Sequence, residues 1–73
     1  MTVEQIILAV LKNYRNELRH QDNRDGVNKI YRQARIWSRI MASSGIISED
    51  ERNRANEAFK KMRWNRLNKI EEE

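Results

Sequence analysis

The sequence predicts an all-α protein, a compact three-helix bundle with helices over about 3–20, 27–43 and 49–68 and a frayed C-terminus. Three observations carry this expectation. The 73 residues include no proline and only two glycines, amid many strong helix formers. Apolar residues recur at three- and four-residue spacing in each segment. Two short stretches, "QDNRDG" and "SSGII", interrupt that spacing where turns are needed.

The first helix opens on a capping box, with Thr2 as N-cap and Gln5 reaching back. Val3, Ile6, Ile7, Val10, Leu11, Tyr14 and Leu18 gather on one broad face. Leu8 falls just off that face and is expected to be partly exposed. "QDNRDG" then ends the pattern, and Gly26 is expected to supply the positive φ of the turn. In the second helix Val27, Ile30, Ala34, Trp37 and Met41 form an apolar stripe with Tyr31 at its border. Gly45 stands where a left-handed residue closes a helix, followed by Ile46 for the accompanying contact with Met41. Ser48 and Glu51 form a second capping box, and Glu49, Asp50 and Glu51 suit the positive end of the helix dipole. The third helix is less regular. Ala55, Ala58, Phe59 and Met62 share a face, but Arg66 and Lys69 follow on it. Trp64 lies on the opposite side, and the closing "EEE" is unfavourable at a helix C-terminus.

One domain over 1–73 is expected from the length. A core this small rarely supplies more than ~3–5 kcal/mol, so a monomer or a weak homodimer is the expected state. There is no cysteine, hence no disulfide and no thiolate metal site. No apolar run approaches a membrane span, and no signal-peptide pattern opens the chain. A soluble, cytoplasmic protein is the expectation, in the host cytoplasm if the source is viral.

Catalysis finds little support in the residues. His20 is the one histidine and stands beside a polar turn, where a solvated surface role is the simplest reading. The acids of "GIISEDE" are explained by capping. No phosphate-cradling glycine loop and no metal-ligand spacing occur, so a non-enzymatic protein without cofactor or metal is expected.

Charge is more informative. Fifteen Lys and Arg stand against eleven Asp and Glu, a net charge of +4. No acid occurs from Gly26 through Ser48, where Lys29, Arg32, Arg35 and Arg39 form a strip opposite the apolar stripe, with Ile36 inside it. A solvated face is the bland reading of such a strip, but the lack of compensating acids favours a ligand. Arginine's planar fork suits carboxylates and phosphates alike. A second constellation, Lys60, Arg63, Trp64 and Leu67, is placed by its spacing on the face of the third helix away from the core. Tryptophan and arginine are enriched at interface hot spots. A buried Trp64, packed back on a neighbouring helix, is the competing reading.

The stretch "GIISEDERNRANEAFKKM" resembles the short helical C-terminal modules called SHOCT domains, through Gly45, Ile47, Ser48 and Glu51. Arg52 stands where that pattern has an aromatic residue. The resemblance covers about a quarter of the chain and implies assembly through helices, with no enzymatic activity. In size, charge and lack of catalytic groups the chain is also similar to small bacteriophage and mobile-element regulators, some of which bind host RNA polymerase. That likeness implies a regulator docking on a larger protein with an acidic surface, such as RNA polymerase. Non-specific nucleic-acid binding is the alternative, and a self-assembling structural module the third. Sequence-specific DNA reading by the third helix is disfavoured, because Glu49, Asp50 and Glu51 would face the phosphates.

Overall fold

Three α-helices form a bundle with no strand among the described residues, which in the computed structural model are residues 2–72. Helix α1 runs Val3–Arg19, α2 Arg24–Ser43 and α3 Glu49–Glu72. The bundle is elongated, 40 × 19 × 15 Å along its principal axes.

Each helix start follows from local hydrogen bonding. The Gln5 N–H donates to Thr2 Oγ1 at 3.1 Å, and the Thr2 N–H donates to Gln5 Oε1 at 2.9 Å, so the expected box forms. The box at α3 forms in the same way between Ser48 and Glu51, at 3.1 and 2.7 Å. The start of α2 differs from expectation. Asn23 is the N-cap, its Oδ1 accepting the Gly26 N–H at 2.8 Å, so the helix begins three residues before position 27. Gly26 therefore lies in the first helical turn, and its expected positive φ is overturned. An Asn side chain satisfies an orphan N–H of that turn, which no turn at Gly26 would do.

Among the described residues only Gly45 has a positive φ, at 76°. It ends α2 in a full Schellman arrangement. The Ile46 N–H donates to the Met41 carbonyl at 3.0 Å, and the Gly45 N–H donates to the Ala42 carbonyl at 3.1 Å. Any residue with a Cβ would be strained at this φ.

Tyr14, Leu18, Val27, Ile30, Ala34, Ala55, Phe59 and Leu67 are buried together, with Trp37, Met62 and Ile70 packed against them. Phe59 is wholly enclosed. It meets Tyr14 edge-on at 4.9 Å between ring centres and Trp37 at 6.4 Å. The Tyr14 hydroxyl donates to the Phe59 carbonyl at 3.2 Å, which joins α1 to α3 inside the core.

The third helix departs most from expectation. It continues to Glu72 instead of ending near 68, and Glu73 lies outside the described residues. The reason is packing past that point. Ile70 is half-buried on the core, and Glu71 pairs with Arg24 at the start of α2. The core side also rotates around α3 along its length, from Ala55 and Phe59 toward Leu67 and Ile70.

Candidate interaction face

Helices α2 and α3 together present one basic face. On α2, Lys29, Arg32, Arg35 and Arg39 are all exposed, as the 3–4 spacing expected. Ile36 is 47 % exposed among them, a branched aliphatic side chain left in water between guanidinium groups. Across from this strip α3 contributes Arg52 and Asn56. With Arg32, Arg35, Ile36 and Arg39 they line a shallow groove of about 370 Å³. Four guanidinium groups therefore border one depression. Among the described residues the sole carboxylate bonded to any of them is that of exposed Glu49, which accepts from Arg52 Nη1 at 3.2 Å.

Two details fix the α3 wall of the groove. Ser38, on the inner side of α2, is fully buried, and its hydroxyl lies 2.7 Å from Asn56 Oδ1 and 2.9 Å from the Arg35 carbonyl. A hydroxyl has one proton, so it donates to one of these acceptors at a time. Either arrangement ties Asn56 to the backbone of the arginine strip. Arg52 Nε is buried and has no hydrogen-bond acceptor among the described residues. A buried donor without a partner is destabilising by about 1–3 kcal/mol.

The second constellation divides. Trp64 is 62 % exposed and borders a hollow with Lys60, Lys61 and Arg63, so it is a solvent-facing aromatic, as expected. Lys60 is exposed beside it. Leu67 is not part of this surface. It is 8 % exposed and belongs to the core, which corrects its placement on the outer face. The rotation of the core side around α3 carries Leu67 inward. Arg63 is half-buried and turned toward α2, where its Nε donates to Asn28 Oδ1 at 2.9 Å and its guanidinium lies 5.1 Å from the Tyr31 ring centre. Arg35 lies 5.9 Å from the same ring. Tyr31 thus bridges the two constellations, which spacing along the chain treats as separate.

Tyr31, Arg52 and Asn56 are the residues of this face that sequence reasoning missed. Tyr31 sits on the border of the apolar stripe, a weak signal for its bridging place. Arg52 enters the sequence reading only where the resembled pattern has an aromatic residue, and nothing in the spacing brings it to the α2 strip. A further basic groove lies on the other side of α3, bordered by Arg15, Arg19, Arg66 and Lys69. Arg66 is committed there, with Nε and Nη2 both donating to the Gln21 carbonyl, at 3.2 and 2.7 Å.

His20 is exposed at the end of α1. The Tyr14 hydroxyl has its pKa pushed well above the ordinary 10, by burial first and the nearby Tyr31 second, with Arg63 opposing. It faces a core carbonyl. Among the described residues no group of three His, Cys, Asp or Glu side chains stands together as a metal site. No helix there is long and apolar enough to cross a membrane.

No family model matches the chain, and no curated protein or solved structure matches it either.

Proposed function

We propose that this chain is a small non-enzymatic interaction protein that docks its α2/α3 face on the acidic surface of a larger protein and regulates it by occlusion. The observation that carries this reading is the composition of the face. Four arginines surround exposed Ile36, exposed Trp64 and Lys60 border a separate hollow of α3 that Arg63 and Tyr31 link to the strip, and Glu49 is the one carboxylate bonded to the groove arginines among the described residues. Cations that meet a partner's carboxylates set orientation and on-rate. Exposed aliphatic and aromatic anchors supply the apolar contact that concentrates affinity. A mixture of this kind suits a protein surface better than a phosphate backbone, which offers nothing for Ile36. The likeness to small phage regulators supports RNA polymerase in the host cytoplasm as the partner and transcription as the process regulated. The likeness of 45–62 to SHOCT-type modules supports docking through helices.

The test is an equilibrium titration of labelled protein against purified bacterial RNA polymerase, at low and at moderate salt. Binding that weakens at least tenfold in Arg35→Glu and in Trp64→Ala, with helical content unchanged, is the expected outcome. Absence of binding at low salt rejects that partner. Binding that both variants retain rejects the face.

A second reading, non-specific nucleic-acid binding, is favoured by one observation. Cations flank α3 on both sides, in the α2/α3 groove and in the groove of Arg15, Arg19 and Lys69. Phosphate contacts would show as affinity for duplex and single-stranded DNA that falls steeply with salt. No DNA binding at low salt removes this reading.

A further inference from the structure

We propose that the groove between α2 and α3 receives an acidic helical segment of the partner, with carboxylates at 3–4 spacing on Arg32, Arg35, Arg39 and Arg52 and an apolar side chain between them on Ile36. The inference rests on the docking reading above and names its recognition chemistry.

Three features define the occupant. The first is length. Arg32 to Arg39 covers two turns of α2, about 10 Å at the helical rise, which one face of a second helix matches with acids at i, i+3 and i+7. The second is charge. Four guanidinium groups against the single Glu49 carboxylate leave an excess of three positive charges, which three partner carboxylates offset. The third is the position of Ile36. It lines the same groove as the arginines. A phosphate group would desolvate Ile36 with no apolar contact in return, whereas a leucine or methionine on the incoming helix covers it. This favours a peptide over a bare phosphate or the phosphate backbone of a duplex.

Arg52 adds a built-in competitor. Its Nη1 is held by exposed Glu49 while its Nε finds no acceptor in the described fold. An incoming carboxylate that draws the guanidinium away from Glu49 also frees Nε from its buried, unpaired position. Glu49 therefore opposes binding, and its removal strengthens the site.

The probe is an alanine-based helical peptide with glutamates at i, i+3 and i+7 and a leucine at i+4. Controls are the same peptide with glutamine for glutamate, the same peptide with alanine for leucine, inorganic pyrophosphate, and single-stranded DNA. Affinity is read by fluorescence anisotropy and the site by the amide shifts of α2 and α3. The expected result is binding of the probe in the groove. It weakens about tenfold in Arg39→Gln and in the leucine-free peptide, and tightens several-fold in Glu49→Gln. Arg39 and Glu49 are exposed, so these variants keep the fold. Equal binding of the leucine-free peptide, tighter binding of pyrophosphate or DNA at the same residues, or weaker binding in Glu49→Gln overturns the inference. The two readings fail separately. If RNA polymerase binding depends on Trp64 and Arg35 but the probe does not bind, the groove assignment falls and the docking reading stands. If the probe binds in the groove but no larger protein binds through this face, the docking reading falls.

Discussion

Two arginine-bearing stretches of this molecule differ in how the fold uses them. In the strip Arg32–Arg39 the guanidinium groups face water or the Tyr31 ring, and among the described residues none bonds a carboxylate. In the C-terminal half of α3 the arginines are tied into the fold. Arg63 bonds Asn28 and lies over Tyr31, and Arg66 gives two N–H groups to the Gln21 carbonyl in the connection from α1 to α2. The difference follows from where each helix has its core side. The apolar stripe of α2 is continuous, so its opposite side is left to solvent. The core side of α3 rotates, so basic residues fall at its edges, and their long stems cover apolar surface while their heads reach backbone and side-chain oxygens. Charge alone does not mark a binding surface. What separates the two stretches is whether the guanidinium groups are hydrogen-bonded within the fold.

Substitutions in α3 break this comparison most sharply. Leu67→Ala is expected to destabilise the protein by about 2–5 kcal/mol, because Leu67 is in the core. Trp64→Ala, three residues away, is expected to change stability by less than about 0.5 kcal/mol. Chemical denaturation of both reads the difference, and equal losses would mean that Trp64 is a core residue.

Arginine replacements come next. Arg66→Gln removes the donors from the Gln21 carbonyl and is expected to cost about 1–2 kcal/mol. Losses of that size at Arg39 instead of Arg66, in the same denaturation experiment, would invert the assignment of committed and available arginines.

Alkaline pH tests the inner side of α3. Tyr14 has a folded-state pKa raised above its unfolded value of 10.0. Its contribution is thus complete below pH 10 and is lost as pH rises above it, with a slope of at most about 1.4 kcal/mol per pH unit. Tyr14→Phe is expected to flatten that part of the curve. Arg63 opposes the shift, so Arg63→Gln is expected to extend the loss to higher pH. A curve unchanged in Tyr14→Phe would show that the hydroxyl is not held in the core.

The smallest effects belong to the outer strip. Arg32→Gln and Arg39→Gln are expected to shift stability by less than about 0.5 kcal/mol in thermal denaturation. A slight gain is the expected sign, since like charges at i,i+3 and i,i+4 repel.

Much of the fold was legible because caps and stripes are local. Thr2 with Gln5, Ser48 with Glu51, and Gly45 before Ile46 each form the hydrogen bonds that their residue types suggest. The apolar stripe of α2 names its own inner face. The misreadings have one physical origin, the contacts between helices. Spacing on α3 places Leu67 beside Trp64, but packing turns one inward and leaves the other in water. A helix end near 68 follows from the dipole alone, but α3 runs on to Glu72, with Ile70 on the core and Glu71 paired with Arg24. The arginine strip was visible as a period in α2. Its opposite wall was not, because Arg52 and Asn56 reach it only through the packing of α3 and through buried Ser38.

The division between committed and available arginines can be read at the side chains themselves. Arginine Nε–Hε resonances, followed by NMR as the acidic helical probe is added, report each guanidinium separately. Shifts at Arg32, Arg35, Arg39 and Arg52, with Arg63 and Arg66 unmoved, are the predicted result. Shifts centred on Arg63 and Arg66, or spread evenly over all arginines, would contradict an interaction face on the α2/α3 groove.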